Sequence, residues 1–206
     1  MDNFLAFQVH GNADNQGLSG LLDAVLTFLD GLLSKSAGEI FVAFMPGITS
    51  FDNLHPLLVH FPIAFLSCFV LIDFVASLAK KPQWREFAGG LLYLGTAMAL
   101  FTVIAGFIAA NSVAHDDNVH AIMERHEVFG VTILSLAVVL SAWRLKCGDQ
   151  LQGEMNILYL ILSALLGLGL VLGADLGGLM VYQYGVSVKA IPESVVGSYK
   201  QHTHSH

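Results

Sequence analysis

The sequence predicts an all-α polytopic membrane protein, a four-helix transmembrane bundle preceded by an amphipathic helix. Three observations carry this reading. Of 206 residues, 55% are hydrophobic and only 12% are charged, where a soluble domain carries about 25% charged residues. Mean hydropathy is +0.67. Several apolar runs approach the ~20 residues that a helix needs to cross a bilayer, with short polar loops between them.

Composition also narrows the function. A net charge of −7 argues against nucleic acid, which needs a basic face. Cys68 and Cys147 fall in or beside apolar segments and read as small hydrophobes, with no disulfide expected. Met1 to Leu5 lack a positive stretch followed by an apolar core and cleavage site, so no signal peptide is expected.

Residues 1–51 form the N-terminal extension. Leu18, Leu21, Leu22, Val25, Leu29, Leu32 and Leu33 share one helical face, and Asp23, Thr27, Asp30 and Ser34 the opposite one. The acidic polar face favours packing on protein over lying on a membrane surface, where Lys and Arg are usual. Pro46-Gly47 breaks the short apolar run that follows.

Residues 52–188 form the transmembrane domain, with spans at about 54–79, 87–110, 118–146 and 155–185. Asp52 and Asn53 are helix-capping types before the first span, and Pro56 suits a first turn. Pro62 falls inside and predicts a kink. The second span is rich in Gly and Ala, which permits close helix approach. Asp117 caps the third. Gly169, Gly173 and Gly177 give the fourth a small-residue face, suited to its own bundle or to a homo-oligomer. No span duplicates another closely enough in sequence to mark an internal repeat. Residues 189–206 are a polar, His-containing tail.

Loop charge predicts orientation. Lys80, Lys81, Arg85, Arg144 and Lys146 gather on one side, which the positive-inside rule assigns to the cytoplasm. A bacterial inner-membrane protein with both termini periplasmic is expected. That topology brings His55, His60, His115, His120 and His126 to the opposite face. His60 lies about 10 Å below Asn53, and His126 about 13 Å below Asp117, on diagonal helices of an up-down bundle. Two imidazoles at matched depth suit the axial ligation of a haem b. His60 and His126 are the leading pair, with His55 the alternate. Gly130, one turn below His126, would leave room for a porphyrin edge, and Arg125 would meet a propionate. The competing account of each histidine is an interfacial side chain bonded to a carbonyl.

Other readings compete. His115, Asp116, Asp117 and His120 resemble a mixed nitrogen and oxygen site for zinc or copper. The alternating histidines of His202, His204 and His206 suit weak divalent-ion binding, or simply a solvated tail. Asp73 is expected to pair with Arg144 or a polar residue of another helix. Asp175 is placed either to bond a ligand histidine's free N–H or to pair with Arg125. No nucleophile–base set, phosphate loop or paired-carboxylate site stands out, so an electron-transfer or structural subunit is expected rather than a stand-alone catalyst.

Leu54-His55-Pro56-Leu57-Leu58-Val59-His60-Phe61-Pro62-Ile63-Ala64, then Leu71-Ile72-Asp73, and the late stretch from Leu176 to Val186 resemble the bacterial membrane proteins of domain of unknown function 2231. The resemblance covers roughly residues 52–188. It implies a four-helix membrane domain and, because some members are fused to or associated with c-type cytochromes, electron transfer. The expected function is therefore a membrane cytochrome b-like subunit working with lipid, a quinone, and membrane or periplasmic subunits such as a c-type cytochrome. The alternatives are a cofactor-free membrane scaffold and a periplasm-facing zinc or copper protein.

Overall fold

The computed structural model describes residues 18–111, 117–148 and 151–188. The chain divides into two compact units, Met1–Asp52 and Asn53–His206. The described part of the first holds α1 (Leu18–Leu33), α2 (Ala37–Phe44) and α3 (Pro46–Ser50). A capping box starts α2. Ser36 Oγ accepts the Glu39 backbone N–H at 3.3 Å, while Glu39 Oε2 accepts the Ser36 N–H at 2.8 Å.

The second unit holds α4 (His55–Leu58), α5 (His60–Leu78), α6 (Pro82–Ala110), α7 (Asp117–Cys147) and α8 (Gly153–Tyr182). Four stretches are long and apolar enough to cross a membrane: His55–Leu78, Pro82–Ala110, Val119–Cys147 and Gly153–Tyr182. The first is α4 and α5 together. Pro62 brings no N–H to the Leu58 carbonyl, yet the backbone stays helical through Val59 (φ −58°, ψ −28°), with the Val59 N–H on the His55 carbonyl at 3.1 Å and the Ile63 N–H on the Val59 carbonyl at 3.3 Å. Asn53 Oδ1 accepts the His55 N–H at 3.2 Å. At its far end α5 stops on Lys80 at φ 53°, with the Lys81 N–H bonded back to the Ala76 carbonyl.

The second span begins earlier than the apolar pattern indicates. Pro82 sits at the first turn of α6, where its missing N–H costs nothing. Arg85, expected in a loop, is therefore inside the helix and 6% exposed. The core is built from Leu66, Phe69, Ala88, Leu92, Ala99, Ala137, Leu140, Tyr159, Leu166 and Leu170. Small residues let the helices close. A Cβ on Gly95 would lie 2.6 Å from Leu66.

The bundle is two hairpins, α4–α5–α6 and α7–α8, that repeat one register. Pro82 and Gly153, which open α6 and α8, stand 71 positions apart. Asp73 and Arg144 also stand 71 apart and bond each other, as do Arg85 and Asn156. Burial follows the same offset. Leu66, Phe69, Ala88, Leu92, Ala99 and Thr102 are buried, and so are their counterparts Ala137, Leu140, Tyr159, Ser163, Leu170 and Gly173. A residue that touches its own counterpart lies on the axis relating the two halves. α5 and α7 run the same way through the membrane, so that approximate two-fold axis runs along the bundle. The sequence hides this repeat because the paired positions share burial but rarely share side chains.

Candidate functional site

One end of the axis carries two histidines. His55 opens α4, and His126 lies in α7 at the equivalent position of the second hairpin. Their ring centres are 6.1 Å apart and their planes stand at 89°. His55 Nδ1 is 3.0 Å from the Thr102 carbonyl of α6, and His126 Nδ1 is 2.9 Å from the Gly173 carbonyl of α8. Each acceptor lies 47 positions beyond its histidine. A carbonyl only accepts, so both rings carry their proton on Nδ1 and keep the Nε2 lone pair.

Thr102 and Gly173 are each followed four residues later by a glycine, Gly106 and Gly177, and these lie against the rings. One turn further toward this end, Val119, Met123 and Met180 are buried with Ala110, Ile122 and Val186 packed on them. His55 and His126 themselves are half-buried.

The separation of the two rings is near that of two imidazoles sharing one metal ion. Two imidazole nitrogens on opposite sides of one first-row metal ion, each bonded at about 2.0–2.1 Å, put the ring centres about 6.3 Å apart. Among the described residues no three His, Cys, Asp or Glu side chains gather as a metal cage. Two nitrogens leave a tetrahedral zinc ion two ligands short. A haem iron, which brings four nitrogens of its own, needs only the two.

The opposite end of the axis is ionic. Asp73 is fully buried between Arg144 Nη1 at 2.8 Å and Arg85 Nη2 at 3.2 Å. Arg85 also donates to Asn156 Oδ1, and Asn156 Nδ2 to Ser77 Oγ at 2.8 Å. Arg144 donates to the Arg85 carbonyl and lies 5.7 Å from the Tyr159 ring centre. Among the described residues no buried side-chain polar atom lacks a partner. These groups saturate one another and tie four helices together.

A family profile described as predicted membrane protein (DUF2231) matches residues 51–190. The chain belongs to this family. Neither a curated protein nor a solved structure matches it.

Several sequence-based placements in this DUF2231 domain change. His60 does not face His126. It is exposed, with Nδ1 3.3 Å from the Leu57 carbonyl of the preceding turn. Five positions on from His55, it stands about 140° round the same helix and off the bundle interior. Depth along the helix picks His60, whereas the ring that meets His126 is that of His55. Asp175 is exposed, and the Gly173 carbonyl takes the His126 N–H instead. Gly169 and Gly173 face Ile133, and Gly177 faces His126. The glycine face of α8 thus packs on α7 of its own chain, which corrects its use in a homo-oligomer.

Other expected residues fall as follows. Around Gly130 only Val103 comes near, and a Cβ there would lie 3.8 Å from it. Arg125 is exposed one position before His126. His120 is exposed and 3.3 Å from Glu124 on the same helix. His115, Asp116 and the tail histidines lie outside the described residues, as does the Asp117 side chain. Thr102 and Gly106 were not singled out by sequence. The signal that finds them is the equal spacing of His55–Thr102–Gly106 and His126–Gly173–Gly177.

Proposed function

We propose that this DUF2231 domain holds one haem b between its hairpins and acts as a membrane cytochrome b-like electron-transfer subunit. His55 and His126 would hold its iron. The observation that carries the proposal is their pairing across the axis, with a separation and hydrogen bonding that fit ligation of one iron. Bound haem supplies a one-electron couple. The chain's own residues do the rest. Thr102 and Gly173 carbonyls keep each Nδ1 protonated and each Nε2 ready to bond. Val119, Met123 and Met180 supply a buried apolar cluster at the same end. Arg125 is placed for a propionate.

The basic residues at the ionic end support a cytoplasmic side there, and this reading puts the histidine end and both termini on the periplasmic side of a bacterial inner membrane. A single haem near one face does not carry an electron across the bilayer alone. A quinone and a c-type cytochrome or similar subunit are the partners this reading asks for.

The test is the absorption spectrum of the full-length protein, produced with ample haem supply and purified in detergent. A Soret band and a pyridine haemochromogen of the b type, near one haem per chain, are expected. A colourless protein sinks the proposal. Metal analysis of the same sample would then separate a zinc or copper protein from a cofactor-free scaffold.

A further inference from the structure

We infer that Gly106 and Gly177 are positioning residues that seat the two imidazoles, one glycine for each histidine. When the hairpins are aligned at the 71-position offset over residues 55–110 and 126–181, four positions keep the same residue: His55/His126, Leu91/Leu162, Leu94/Leu165 and Gly106/Gly177. Leucine repeats easily in apolar helices. The other two positions are the ones that touch.

The contact explains why glycine stands there. A Cβ on Gly106 would lie 3.1 Å from both Nδ1 and Cε1 of His55, and one on Gly177 would lie 3.3 Å from Cε1 of His126. Each glycine follows by four residues the carbonyl that its histidine bonds. That carbonyl lies within a helix and has a second lone pair to offer. A side chain on the next turn would stand in the path of an imidazole approaching it. Glycine opens the path, although it is a poor residue for a helix interior.

Seating by two symmetric notches also sets the angle between the rings. The 89° between the planes follows from each ring being held by its own helix, α6 for His55 and α8 for His126. The spectroscopic consequence of that angle rests on the haem reading. The seating itself does not.

Two measurements on full-length protein test the inference. The first is the nitrogen NMR spectrum of histidine-labelled, haem-free protein, assigned by single histidine substitutions. Both His55 and His126 are expected as the Nδ1–H form. G106A is expected to perturb His55 alone and G177A His126 alone. The control G90A, where a Cβ meets nothing within 4 Å, should perturb neither. The second is the electron paramagnetic resonance of the ferric, haem-loaded protein. Perpendicular imidazoles give a strongly anisotropic low-spin signal with its largest g value displaced to low field. G106A and G177A should move it toward the rhombic form and weaken haem binding about tenfold or more.

Haem-loaded variants with unchanged signals and unchanged histidine resonances overturn the seating role while the cytochrome reading stands. A wild-type chain that takes no haem, but whose G106A variant perturbs His55 selectively, upholds the seating role and overturns the cytochrome reading.

Discussion

Asp73 and Arg144 occupy the same position in the two hairpins and bond each other at 2.8 Å, both buried. The counterpart positions Arg85 and Asn156 are bonded too. One carboxylate serves two guanidiniums here. Removing a buried partner from such a set costs about 3–5 kcal/mol, because the charge left behind has no counter-ion. Asp73→Asn should therefore lower the unfolding midpoint strongly, as read by thermal or denaturant unfolding in detergent. Lys80→Ala and Lys81→Ala, on exposed side chains, should stay within about 0.5 kcal/mol. Equal behaviour of all three would refute a locking role for Asp73.

The histidines make a prediction of the opposite kind, on cofactor content rather than stability. His55→Ala and His126→Ala each remove one side of the proposed clamp and should abolish the Soret band or convert it to a five-coordinate form. His60→Ala should keep the wild-type spectrum, because that ring is exposed and bonded only to its own helix turn. Loss of haem in His60→Ala with retention in His55→Ala would restore the pairing that helix depth alone suggests.

The contrast between these two histidines shows what the sequence makes legible. Spans could be read because hydropathy over twenty residues is a sum, and errors at single positions average out. Two histidines five positions apart lie on different faces of one helix, and which face turns inward is set by packing against α6 and α7. A charge normally ends a span, so the sequence places Arg85 in a loop. Its burial depends on Asp73 and Asn156 from other helices, which no local pattern encodes. The repeat stayed hidden because buried positions of matching depth hold Leu in one hairpin and Ala or Ser in the other.

The α8 glycines carry a third prediction. Gly169 lies against Ile133, where a Cβ would be 3.3 Å away. Gly169→Leu should therefore splay α7 from α8 and lower stability by about 1–3 kcal/mol, the range for overpacking a core. Mass measurement of the detergent-solubilised protein should show the same oligomeric state as wild type. A variant of unchanged stability but altered oligomeric state would return this face to a contact between copies.

The N-terminal unit supplies a pH-dependent prediction. Glu39 is held below the ordinary carboxylate range, first by the Ser36 hydroxyl and then by the Ser36 backbone N–H. Lys35 adds a weaker attraction, and slight desolvation opposes it. A carboxylate that ionises more readily in the folded state stabilises that state above its unfolded value, about 4.3 for Glu. This stabilisation fades as pH falls through the lower, folded value. The start of α2 should therefore fray in acid and hold at neutral pH. Amide hydrogen exchange of Gly38 to Phe41, corrected for the intrinsic pH dependence, should show protection falling below about pH 4. In Glu39→Gln that step should vanish with the titrating group, and in Ser36→Ala it should shrink, since the hydroxyl is lost while the residue 36 backbone N–H still bonds the carboxylate. An acid step that survives in Glu39→Gln would place its origin elsewhere in the unit.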